Sequence, residues 1–238
     1  MVCEPERRAE GVSVGAAPVA PASDGSLRRE GRMASIYQLK PAFQGLLRPL
    51  VRGLARVGVT ANQVTLAAVV LAFGVGVAIA ACPDRRVFLL LPAALFVRMA
   101  MNAVDGMLAR EHAQASKLGA ILNELGDVVA DAAMYLPLAL HAQFPSAAIV
   151  VLVVLAIIVE MIGVIGVQIG ASRRYDGPFG KSDRAFVVGA LGLLLGLGVP
   201  AGLWLDGVIW LCVLLSAATV VNRARRALAD VAAKEKGS

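Results

Sequence analysis

The chain is short of charge. Only 17% of its 238 residues are Asp, Glu, Lys or Arg, while 58% are hydrophobic. A soluble domain holds about 25% charged and about 45–50% apolar residues. The apolar excess lies in long runs, which excludes an ordinary soluble domain and puts the chain among integral membrane proteins. Aromatics are scarce at 5%. The basic residues stand beside hydrophobic runs and not on an aromatic-studded patch, so no nucleic-acid partner is expected. Cys3, Cys82 and Cys212 share no metal-ligand spacing and form no disulfide framework; they read as small apolar fillers. No internal repeat is visible, which removes support for an inverted-repeat transporter.

What is present divides the chain into three parts. Residues 1–32 are rich in Ala, Pro, Gly, Ser, Arg and Glu without a hydrophobic period, so a disordered N-terminal extension is expected. The extension lacks the apolar core of a signal peptide. Met33 opens a stretch of different character: either it is the true start or the tail before it is a dispensable extension. Residues 33–226 read as one all-α membrane domain, and 227–238 as a polar C-terminal tail. Over about 36–57, Leu39, Phe43, Leu46, Leu47, Leu50, Val51 and Leu54 recur at helical spacing, with Lys40, Arg48, Arg52 and Arg56 between them. This predicts a basic amphipathic helix lying in the membrane interface, bent or interrupted near Pro41 and Pro49.

Six transmembrane helices follow, at about 62–81, 87–104, 119–140, 147–171, 185–203 and 206–221. The last two are separated only by the turn near "VPAGLWLDG", which predicts a tight hairpin. Of the 23 Lys and Arg residues, only Arg85 and Arg86 fall on one side of this layout. The positive-inside rule then makes both termini cytoplasmic and puts the 98–118 connection at the cytoplasmic face.

That connection runs through "NAVDGMLAREHAQASKLGAILNELGDVV", residues 102–129. Asn102 and Asp105 share a helix face, and Asn123, Asp127 and Asp131 form a stripe at four-residue spacing. Two oxygen-bearing faces folded together make a site for a hard divalent cation. Gly106 and Gly119 leave the backbone open to a phosphate-bearing ligand, and Arg110 offers a fixed cation. The chemistry suggested is metal-assisted phosphoryl transfer.

The run Asp105-Gly106-x2-Ala109-Arg110-x8-Gly119-x3-Asn123-x3-Asp127, preceded by Asn102, resembles the signature of the CDP-alcohol phosphotransferase family, D-x2-D-G-x2-A-R-x8-G-x3-D-x3-D. The amphipathic helix, "TANQVT" at 60–65 and "GKSDR" at 180–184 extend the resemblance over about residues 36–226. The first and third signature aspartates are Asn102 and Asn123 here. The resemblance implies a phospholipid-biosynthesis enzyme that transfers a phosphatidyl group from CDP-diacylglycerol to an alcohol and releases CMP. It implies one or two Mg2+ or Mn2+ ions held by Asn102, Asp105, Asn123 and Asp127, with Asp127 as catalytic base. Asp105, Gly106, Ala109, Arg110 and Gly119 would bind CDP. Lys181, Arg184 and Arg173 could grip a phosphorylated acceptor, or could serve only as topology determinants. Arg174 stands beside them.

Glu160 is an intramembrane acid with either a site role or a packing role, His112 a solvated loop residue, and His141 too remote to take part. A homodimer in a bacterial inner membrane is consistent with the resemblance, although the small residues in "GALGLLLGLG" and "GVIGVQIGA" suit packing within one chain equally well. The other reading left open is a catalytically weakened or inactive member that binds nucleotide or lipid.

Overall fold

Thr60 opens the first long apolar helix with a reciprocal cap. Its hydroxyl accepts from the Gln63 N–H at 3.3 Å, and the Gln63 carboxamide oxygen accepts from the Thr60 N–H at 2.9 Å. Such a cap satisfies backbone donors that the first helical turn leaves unpaired. The computed structural model describes residues 36–173 and 175–237, and not the side chains of 36–42. The extension expected at 1–32, Cys3 and Arg174 lie outside the described residues.

The elements are α1 (Ile36–Arg56), α2 (Ala61–Ala81), α3 (Leu90–Glu111), α4 (Lys117–Tyr135), α5 (Ser146–Gln168), α6 (Lys181–Leu197) and α7 (Leu203–Gly237). Two tight 3-10 turns, Arg85–Leu89 and Leu136–Leu140, precede α3 and follow α4. Among the described residues every element is helical.

Two expectations need correction. α1 runs unbroken across Pro41 and Pro49. A proline removes one bond from the ladder, and the carbonyl that Pro49 deprives belongs to Gly45, which is exposed in open space. The hairpin expected of the last two spans does not pack as one: α6 lies chiefly on α3 and the turn before it, and α7 lies on α5. The polar stretch after 226 continues α7 as helix up to Gly237.

Four segments are long and apolar enough to cross a membrane: Ala61–Ala81, Arg85–Glu111, Ser146–Gln168 and Leu203–Lys236. The other two expected spans coincide with α4 and α6. α4 carries Glu124, Asp127 and Asp131, and α6 has only 17 residues.

Between apolar helices in lipid there is little hydrophobic gain, because the lipid tails are as apolar as leucine; close packing has to hold them. α2 and α4 approach so tightly at Gly76 that a Cβ there would sit 2.0 Å from the Ala133 carbonyl oxygen. The glycines of "GALGLLLGLG" serve the same end within the chain, since Gly192 and Gly196 back onto Phe88 and Leu89. The main core gathers Phe88, Leu91, Met134, Tyr135, Ile149 and Leu205. A smaller one, with Val51, Val64, Val104, Met107 and Leu108, seats α1 against the ends of α2 and α3. This second core fixes the end of the bundle where the polar residues converge.

Candidate active site

The loop between α3 and α4 is tied to the start of α2. Gln114 accepts from the Ala61 N–H at 2.7 Å and donates to the Val59 carbonyl at 3.4 Å. Ser116 then caps α4 by accepting from the Gly119 N–H at 2.9 Å. These bonds turn the chain back, so that the end of α3 and the start of α4 present their polar faces to each other.

Asp105, on α3, is buried, and one of its oxygens accepts from the Thr65 hydroxyl of α2 at 2.7 Å. Asp127, on α4, remains a quarter exposed. Its Oδ1 accepts from the Asn102 side-chain N–H at 2.9 Å and pairs with the Lys181 ammonium at 2.5 Å. Asp105 and Asp127 are near enough for their charges to interact. Asn123 lies one turn before Asp127, half-buried. The structure thus brings Asn102, Asp105, Asp127 and Lys181 together. Among the described residues, no group of three Asp, Glu, His or Cys side chains is placed to hold a metal.

Gly106 and Arg110 form a second part of this surface. The exposed Arg110 side chain folds back over Gly106, and a Cβ at 106 would lie 3.1 Å from its guanidinium nitrogens. A Cβ there would push the guanidinium back by a few tenths of an ångström. Ala109 is half-buried beside it. Across the gap, Gly119 faces the Asn62 carboxamide.

The remaining basic candidates are engaged elsewhere. Arg173 clasps Glu124, one of its nitrogens at 2.6 Å, and lies over the Tyr175 ring. The Glu124 carboxylate keeps that guanidinium above its ordinary pKa. Arg184 is 1% exposed and pairs with Glu160 at 3.1 Å and Asp131 at 3.6 Å. His112 ends α3, and His141 bonds the Ile79 carbonyl at 2.8 Å.

Sequence reasoning missed two buried arginines. Arg98, counted among the charges of a cytoplasmic connection, is buried inside α3. It donates to Asp131 at 2.7 Å and lies 3.6 Å from the Asp127 carboxylate. Arg223, counted with the C-terminal charges, is likewise buried and reaches Glu160 at 3.6 Å. Arg98, Asp131, Arg184, Glu160 and Arg223 form a ladder of alternating charge across α3, α4, α6, α5 and α7. The signal was present: Arg98 is a lone cation in an apolar run, one turn before Asn102. Such residues normally pair inside a bundle.

A family model described as CDP-alcohol phosphatidyltransferase matches residues 58–221, the segment that holds α2 to α6 and the first half of α7. The chain belongs to the CDP-alcohol phosphatidyltransferase family. Another relative is the inner membrane protein YnbA of Escherichia coli K12, 42% identical over 195 residues, covering 82% of this chain and 96% of that protein. The phosphatidylinositol phosphate synthase of Corynebacterium glutamicum is 28% identical over 211 residues, covering 85% and 93%.

Solved structures of the Mycobacterium tuberculosis phosphatidylinositol phosphate synthase share the fold of this family member. The one with CDP-DAG bound has a TM-score of 0.63 at 21% identity, covering 77% of this chain and 92% of that one. The one in complex with manganese and citrate has a TM-score of 0.64 at 22% identity, covering 76% and 88%.

Proposed function

We propose that this family member transfers a phosphatidyl group from CDP-diacylglycerol to an alcohol. The observation that carries this reading is the division of the two signature aspartates by access: Asp105 is buried and Asp127 is a quarter exposed. A general base must come within hydrogen-bond reach of the proton it removes. Asp127 can do so and Asp105 cannot. Asp127 takes the proton of the acceptor hydroxyl. The acceptor oxygen forms a bond to the lipid-bearing phosphorus, the pyrophosphate P–O bond breaks, and CMP leaves with the electron pair.

The surface formed by Gly106, Ala109, Arg110 and Gly119 receives the CDP part, with Arg110 offering a cation to phosphate oxygen. Lys181, at the mouth, orients the acceptor. Arg184 and Arg173, each held by a carboxylate, shape its surroundings. The acceptor is a small alcohol or its phosphate ester.

The donor set suits a hard divalent cation, Mg2+ or Mn2+. Asp105 and Asp127 give carboxylate oxygens, and Asn102 and Asn123 give amide oxygens. The Asn102 N–H points to Asp127, which leaves its oxygen turned away from that carboxylate. When bound, the cation stabilises negative charge on the departing phosphate. The manganese held by the similarly folded mycobacterial synthase is in keeping with this.

All six helices α2 to α7 cross the membrane in this reading. Both termini and the active site then face the cytoplasm, as the distribution of Lys and Arg suggests. The membrane is the inner membrane of a bacterium, as the name of the Escherichia coli relative suggests.

The test is CMP release from CDP-diacylglycerol by membranes containing the protein, across a panel of alcohols and their phosphates with Mg2+ or Mn2+. Asp105→Asn and Asp127→Asn should each abolish release. Full activity in both variants would sink the assignment. Stabilisation by CDP without release from any acceptor would point to a binding protein instead.

A further inference from the structure

The polar end of α7 carries a stripe of side chains that the proposed chemistry does not use. Thr219, Arg223, Arg226, Asp230 and Lys234 recur three or four residues apart, so they share one face of the helix. That face lies against the segment leading from α5 to α6. Lys234 donates to the Gly170 carbonyl at 2.7 Å. Asp230 accepts from both the N–H and the hydroxyl of Ser172, at 2.7 and 2.9 Å.

The pattern continues toward the middle of α7. Arg226 meets the Asp176 carboxylate at 3.1 Å, and Arg223 donates to the Asp176 carbonyl at 3.2 Å. The Thr219 hydroxyl accepts from the Phe179 N–H at 3.0 Å. Thr219 also lies so close to Gly177 that a Cβ there would sit 2.4 Å from its methyl carbon. As α7 runs forward, its partners run backward from Phe179 to Gly170. The segment is thus laid antiparallel along about 22 Å of helix.

The same segment reaches α4 with two cations. Arg173 clasps Glu124 and Lys181 meets Asp127, two carboxylates about one turn apart on that helix. Ser172, which Asp230 holds, immediately precedes Arg173. The segment takes its place from α7 and delivers both cations to the mouth of the site.

We infer that the polar extension of α7 is a positioning element for the acceptor, in which Asp230 sets the 170–180 segment and, through it, Arg173 and Lys181. The inference rests on the phosphatidyl-transfer reading. Asp230 is a positioning residue: it acts through Ser172 and touches no reacting atom.

The experiment uses the purified full-length chain in lipid nanodiscs and reads two quantities. One is steady-state CMP release, with CDP-diacylglycerol and each of glycerol, inositol and their phosphates varied in turn. The other is amide hydrogen exchange over 170–180 without substrate, which reports local opening of the segment. Asp230→Ala should raise the acceptor KM and speed that exchange, each about 3–10-fold, the range of one hydrogen bond. The donor KM and kcat should stay close to wild type. Asp230→Asn, which keeps an oxygen for Ser172, should restore both readouts. Arg225→Ala, on another face of α7, should match the wild type in both. CDP-dependent thermal stabilisation reports folding. If Asp230→Ala does not fold, Ser172→Ala removes one of the two bonds from the other side and should move both readouts the same way by less.

Unchanged exchange in the alanine variants, or faster exchange with an unchanged acceptor KM, would overturn the inference. So would an equal rise in the donor KM, or an asparagine variant that behaves like the alanine one. A wild type that releases no CMP with any acceptor defeats the transfer reading and the acceptor role with it. Faster exchange in Asp230→Ala would then still support the hold of α7 on the segment.

Discussion

Two polar regions lie one helical turn apart in this bundle and are built on opposite plans. The ladder from Arg98 through Asp131, Arg184 and Glu160 to Arg223 is dense in charge, nearly dry, and paired at every step. The signature face of Asn102, Asp105, Asn123 and Asp127 is thin in charge and partly open. The difference separates two uses of a charged group in a membrane. A buried ion pair costs desolvation and returns it only with good geometry, so the ladder ties five helices into one arrangement. A site has to keep oxygen atoms uncommitted until a ligand arrives. Asp127 belongs to both, as the residue where ladder and site meet.

The comparison breaks most visibly if the ladder loses one partner. Arg98→Ala takes from Asp131 its nearest partner, leaving only Arg184 at 3.6 Å, and opens a cavity; it should cost about 3–5 kcal/mol, read as thermal unfolding of the detergent-solubilised protein. Replacing the pair together, as Arg98→Met with Asp131→Leu, should recover more than half of that loss. Equal losses in the single and double variants would mean that the charge itself holds the helices. Next in size is Asp127→Asn, expected to lower CMP release about 10²–10⁴-fold, the range of a lost general base. Its unfolding midpoint should stay close to wild type, because Asp131 keeps Arg98 paired. The smallest effect belongs to a pair outside both regions. Arg226→Ala releases Asp176 from a half-exposed contact and should cost about 0.2–1 kcal/mol in the same unfolding assay.

The sequence was most legible where chemistry and spacing coincide. The helix from 36, the first span from about 62 and the polar hairpin over 102–129 all stand where the sequence pattern put them, because each depends on residues close in the chain. The convergence of Asp105 with Asp127 was readable for the same reason, with one short loop joining their helices. The ladder was not, since Arg98, Arg184 and Arg223 come from segments far apart and each resembles a loop cation when counted alone. The packing of α6 and α7 was illegible in the same way. A short connection between helices says that they are neighbours in sequence, while glycine contacts with Phe88 and Leu89 decide which surface α6 takes.

The length of α6 has a consequence for the lipid around it. At 1.5 Å per residue, its 17 residues rise about 25 Å, short of a hydrocarbon core of about 30 Å. On the six-span reading, α6 cannot slide to make up the difference. Lys181 and Arg184 hold one end, and the close seat of Gly196 on Leu89 holds the other. A helix this short is met by thinning of the bilayer beside it or by flanking side chains reaching to the interface, and thinning would couple the position of Lys181 over Asp127 to membrane thickness. Reconstituted in lipids of increasing acyl length, the protein should lose CMP release before it loses bound CDP.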